Sequence, residues 1–171
     1  MSQLSYRPVR KFVLTLAGTS LVLGGLPGSL PIGLSGRPAA AAEELKLREG
    51  ISFYQDIDSG FPIVADNMAD MRLEPQHPTL IFFGASGDLN TNRQARRIVD
   101  LYRRYRKAGL KFLVVDVDHA TAPEAKELLK SYYRGYIPEQ VLLDRSGSKT
   151  WSQSGEVELR QMEAQVDKLV E

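Results

Sequence analysis

Thr79-Leu80-Ile81-Phe82-Phe83-Gly84-Ala85-Ser86-Gly87-Asp88-Leu89-Asn90-Thr91-Asn92 places a strand, a turn and a helix start in one short stretch. Leu80 to Phe83 is an unbroken apolar run, the pattern of a strand buried on both faces. Gly84 to Asn92 is dense in turn-forming residues. Beyond it Ala95, Ile98, Val99, Tyr102 and Tyr105 recur three and four residues apart, which predicts one apolar face of a helix from Asn92 to Lys107. Gly109 is the expected C-terminal cap. A buried strand feeding an amphipathic helix opens a layered α/β domain.

Working toward the C-terminus, Phe112-Leu113-Val114-Val115 reads as a second buried strand running into Asp116-Val117-Asp118. A helix is expected from Ala122-Pro123 through Leu128, Leu129 and Tyr132, with proline suited to its first turn. Gly135-Tyr136-Ile137-Pro138 enters a third strand, Gln140 to Leu143. Asp144 to Gly147 turns the chain into a fourth strand around Lys149-Thr150-Trp151. Leu159, Met162, Val166 and Leu169 then mark a closing helix. The order from Thr79 is β-α-β-α-β-β-α. Strands separated by helices are expected to be parallel, and the last two to pair as a hairpin. Upstream, residues 43–78 form a lead-in with an expected edge strand at Ile51 to Tyr54. A short helix is expected from Val64 to Leu73, stopped by Pro75 and Pro78.

Counting excludes much chemistry. The 171 residues contain no cysteine, so a disulfide scaffold, a thiolate nucleophile and dithiol redox chemistry carried by this chain are ruled out. His77 and His119 are the two histidines, too few for a histidine-rich metal site. The net charge of +1 conceals an asymmetry: residues 1–42 contain Arg7, Arg10, Lys11 and Arg37 and no acid, so the rest of the chain carries excess acid. Nothing in that balance favours nucleic acid. The basic start, the apolar stretch Phe12 to Leu26 and the run Ala39 to Ala42 read as an export signal cleaved before Glu43. The apolar stretch is shorter than the ~20 residues of a spanning helix. An uncleaved leader would be the protein's membrane contact. The expected location is the periplasm or an equivalent space outside the cytoplasm.

From Thr79 to the C-terminus the chain resembles the thioredoxin fold. The resemblance rests on Leu80-Ile81-Phe82-Phe83-Gly84-Ala85-Ser86, on Phe112 to Asp118 with its Asp-x-Asp ending, and on Tyr136-Ile137-Pro138 to Asp144-Arg145-Ser146-Gly147. It implies a three-layer α/β/α domain over residues 79–171, with a central mixed sheet and the lead-in as an N-terminal extension. It also implies a cis peptide bond before Pro138, with the backbone there open to pairing with a bound peptide. The family's Cys-x-x-Cys falls on Gly87-Asp88-Leu89-Asn90, its preceding tryptophan on Ser86 and its buried acid on Ile81. Both sulfurs are missing, and without a thiolate and a resolving thiol no thiol-disulfide exchange takes place on this chain.

The expectation is therefore a non-catalytic binding or assembly module for a protein or peptide, an acidic one if the basic helix contacts it, with no cofactor. Its expected surface combines Gly87, Asp88, Leu89 and Asn90, the Ile137-Pro138 edge, and the stripe Arg93, Arg97 and Arg104. Asp88, Asn90 or Thr91 would cap the helix in place of cysteine, or the helix start would take a small anion. The stripe is a partner surface, plain solvated surface, or charge neutralised within the molecule. Asp116-x-Asp118-His119 lacks the ligand count of a metal site, and Ser86 sits in no nucleophile elbow. The alternatives are an accessory of a redox system whose thiols lie on a partner, and a small-ligand-binding envelope protein.

Overall fold

The computed structural model describes residues 44–65 and 71–170. The expected leader, residues 1–42, and its cleavage point lie outside the described residues. Nine elements follow in order: β1 (Leu45–Leu47), β2 (Ile63–Ala65), β3 (Thr79–Gly84), α1 (Leu89–Tyr105), β4 (Lys111–Asp116), α2 (Pro123–Tyr132), β5 (Glu139–Leu143), β6 (Lys149–Ser154) and α3 (Leu159–Val170). From Thr79 onward this is the expected β-α-β-α-β-β-α order.

The four later strands form one sheet in the order β4-β3-β5-β6. β3 and β4 are parallel from Thr79↔Lys111 to Gly84↔Asp116, as a helical crossover requires. β5 runs antiparallel to β3, although a helix precedes it, and pairs Phe83 with Glu139. The expectation of parallel strands thus holds for one crossover and fails for the other, and the sheet is mixed. β5 and β6 form the expected hairpin.

Alternation along the strands sends side chains to two cores. Leu80, Phe82, Val114 and Leu142 face Ile98, Leu101, Met162 and Val166 of α1 and α3. Ile81, Phe83, Leu113, Val115, Val141 and Leu143 face Ala125 and Leu128 of α2. β3, buried at every position, is the shared wall of both.

The lead-in departs most from expectation. Ile51 to Tyr54 is irregular rather than a strand. Val64, expected in a helix, lies in β2, which pairs antiparallel with β1 in a separate ribbon. Leu45 and Ile63 of that ribbon, with Phe61 just before β2, seal the α1/α3 core. Residues 71–73 are irregular as well, and residues 66–70 of the expected helix lie outside the described residues.

Candidate functional site

The register brings three segments to one end of the sheet. Gly84 ends β3 opposite Asp116 at the end of β4, and Phe83 pairs with Glu139 at the start of β5. The turn Ala85 to Asp88, the loop after Asp116 and the Ile137-Pro138 approach therefore leave the sheet together.

The helix start is already satisfied. Asp88 is the N-cap of α1, and its carboxylate accepts from the Thr91 N–H at 2.6 Å. The helix begins at Leu89, earlier than expected, because this side chain takes one of the amides a helix leaves unpaired. Gly87 turns the chain with φ +78, a conformation that favours glycine.

A second carboxylate arrives from the lead-in. Asp56 Oδ1 accepts from the Leu89 N–H at 2.9 Å. Asn92 Nδ2 donates to the Ser52 carbonyl at 2.9 Å and Arg93 Nε to the Phe53 carbonyl at 3.0 Å. The Arg96 guanidinium sits 5.0 Å from the centre of the Phe53 ring. Residues 52–56 thus strap the first turns of α1, and a methyl added at Gly87 would rest 3.4 Å from the Asp58 Cα. Of the expected contact residues, Gly87 and Leu89 thus meet the chain's own lead-in, Gly87, Asp88 and Leu89 are half-buried, and Asn90 stays exposed. The positive end of the helix faces two carboxylates, which disfavours a further anion there.

The basic stripe is likewise engaged. Arg97 pairs with Glu156 at 2.7 Å and Glu158 at 3.1 Å, Arg93 with Glu156 at 3.6 Å, and Arg104 with Glu163. These acids come from α3 and the loop before it. Part of this charge is therefore neutralised within the molecule, while the Arg104 side chain stays 59% exposed.

Asp116 organises the polar centre. Ser86 Oγ donates to Asp116 Oδ2 at 2.7 Å, and His119 Nδ1 lies 3.0 Å from the same oxygen. The Asp116 contact, by hydrogen bond and charge, raises the His119 pKa above its ordinary 6.5, with smaller contributions from Asp118 and Asp58. The imidazole meets the carboxylate rather than the hydroxyl, so Ser86 has no histidine base beside it. Among the described residues no group of three or more His, Asp or Glu side chains is placed to hold a metal ion.

Glu139 is fully buried, a position that sequence patterning missed. Its Oε2 accepts from the Arg134 N–H at 2.8 Å, while Oε1 has no hydrogen-bond partner. Burial, followed by the charges of Glu139 and Asp118, raises the Tyr133 pKa. The signal was an acid at the first position of a strand, Glu139–Leu143, that is buried throughout.

The Ile137-Pro138 bond is cis. Among the described residues no hydrogen bond reaches the Ile137 N–H or carbonyl, whereas the Pro138 carbonyl accepts from Gly155 N–H at 2.7 Å. Beside it Tyr136 stands 70% exposed. A mixed β4-β3-β5-β6 sheet with two helices on one face, one on the other, and a cis-proline entering β5 settles the architecture.

The fold is thioredoxin-like. No family model and no curated protein matches the sequence. Solved structures similar to it include StoA from Bacillus subtilis, at 16% identity and TM-score 0.46 over 54% of this chain and 84% of that one. Thioredoxin O2 from Arabidopsis thaliana is 17% identical with TM-score 0.45, over 56% of this chain and 77% of that one. The germline-specific thioredoxin Deadhead from Drosophila is 21% identical with TM-score 0.45, over 55% and 82%. Such likenesses concern the chain path alone. This thioredoxin-like chain keeps the cis-proline and lacks every cysteine.

Away from this end, a groove of about 450 Å³ is lined by residues including Leu73, His77, Tyr132 and Asp144. It lies where β3 begins and β5 ends, so it is separate from the proline loop.

Proposed function

We propose that this chain is an exported, non-catalytic binding or assembly module that holds an extended segment of another protein on its Ile137-Pro138 edge. The observation carrying the reading is the Ile137 backbone, left without a hydrogen bond beside the exposed Tyr136. An extended peptide would satisfy that N–H and carbonyl as an added strand, and Tyr136 would supply aromatic contact area. Of the other expected contacts, Asp88, Leu89 and the three arginines make bonds within the molecule, so the proposal rests on the proline edge rather than on them. Export rests on the basic and apolar pattern of residues 1–42.

The test is site-specific photo-cross-linking in cells that produce the full chain. A photoreactive amino acid replaces Tyr136, and, as a control, Arg106 at the far end of α1. The reading predicts discrete adducts from position 136 and none of the same species from position 106. Absence of adducts at 136, or identical adducts from both positions, contradicts it. The processed N-terminus of protein recovered from the periplasm is predicted to be Glu43; an intact N-terminus on cytoplasmic protein would contradict export.

A further inference from the structure

The proline edge lies within an acidic rim. Asp56 and Asp58 reach this end of the sheet from the lead-in, Asp116 and Asp118 from the end of β4. Asp58 and Asp118 are exposed, and both act on His119. The end of β3 pairs with the end of β4 on one side and with the start of β5 on the other, which brings the rim to the same end of the sheet as Ile137. Cations reach this end too: Arg134, His119, which is bonded to Asp116, and Arg93 and Arg96, which lie on the strap at Phe53. Among the described residues neither Asp58 nor Asp118 has an ion-pair partner, so both carboxylates stay available near an edge whose backbone is open. Arg93, Arg97 and Arg104 of α1 are instead bound by acids of α3 and the loop before it.

We infer that the segment held at Ile137 is cationic: an extended peptide of a partner protein that alternates Lys or Arg with apolar side chains. This deepens the proposed function and rests on the proline edge being the binding surface. A strand added at an edge turns alternate side chains to opposite sides. Apolar ones then meet Tyr136 and Ile137, and the basic ones meet Asp58 and Asp118. Complementary charge speeds encounter and rejects acidic segments more than it adds to final affinity. An acidic partner, the expectation from the arginine stripe, is disfavoured at this edge.

Selection from a phage-displayed library of random peptides on the immobilised full chain tests this, with the Tyr136→Ala protein as the comparison surface. Enrichment of peptides alternating Lys or Arg with apolar residues, lost on Tyr136→Ala, is the expected result. The Asp58→Asn, Asp118→Asn double variant should weaken a selected peptide roughly ten-fold at low salt and much less at high salt. Enriched neutral or acidic peptides that still depend on Tyr136 would overturn the cationic partner and leave the edge standing. Capture equal on both surfaces, or no enrichment at all, would overturn the edge together with it.

Discussion

His119 is bonded to Asp116 and surrounded by Asp58 and Asp118, so its imidazolium form is favoured in the folded protein. A pKa raised on folding contributes stability that is present below the unfolded value of 6.5 and is lost as pH rises through the folded one. An NMR titration should place the His119 midpoint above 6.5, and Asp116→Asn should bring it back toward that value. A midpoint unmoved by Asp116→Asn would contradict the pairing. Gly84 makes a second residue-scale prediction. A methyl there would overlap the buried Thr91 methyl, whose hydroxyl accepts from the Ala85 N–H. Gly84→Ala should therefore cost about 1–3 kcal/mol in urea unfolding. An unchanged midpoint would show that α1 yields there. The sequence marked Gly84 only as a turn residue, because no pattern along the chain reveals which side chain crosses its backbone.

α1 is held at its start by caps and along its length by α3. Asp88→Ala should lower stability by about 1 kcal/mol, as loss of an N-cap does, and denaturant unfolding would show it. Gln94 is fully buried, accepts from the Val157 N–H at 2.9 Å and so fixes the start of α3 against α1. Gln94→Leu should cost about 1–3 kcal/mol by leaving that amide unpaired; a neutral effect would mean the amide finds another partner. The later helices and strands were legible because period and burial agree in them. In the lead-in they do not: Val64 at helical spacing from Met68 sits in a two-stranded ribbon whose pairing partner, β1, begins far upstream at Leu45. The Asp56 bond to α1 spans 33 residues, so nothing local in the sequence announced that the lead-in would meet the turn.

Over the whole molecule, charge is sorted by end and face. Arg97 and Arg104 are spent on α3 and its leading loop, while Asp58 and Asp118 remain at the proline edge. The sequence displayed the arginine stripe but not its pairing, since the partners of Arg97 and Arg104 lie 59 to 61 positions away. With no cysteine, full-length protein should not accelerate the reduction of insulin disulfides by a reductant beyond the rate of a buffer control. The measurement that tests the central claim most directly is an NMR titration of isotope-labelled full-length protein with a peptide selected on it. Amide shifts are predicted to concentrate on Tyr136, Ile137 and Glu139, with the Ile137 N–H protected from exchange. Shifts confined to the groove around His77 and Asp144, with Ile137 unchanged, would contradict the account.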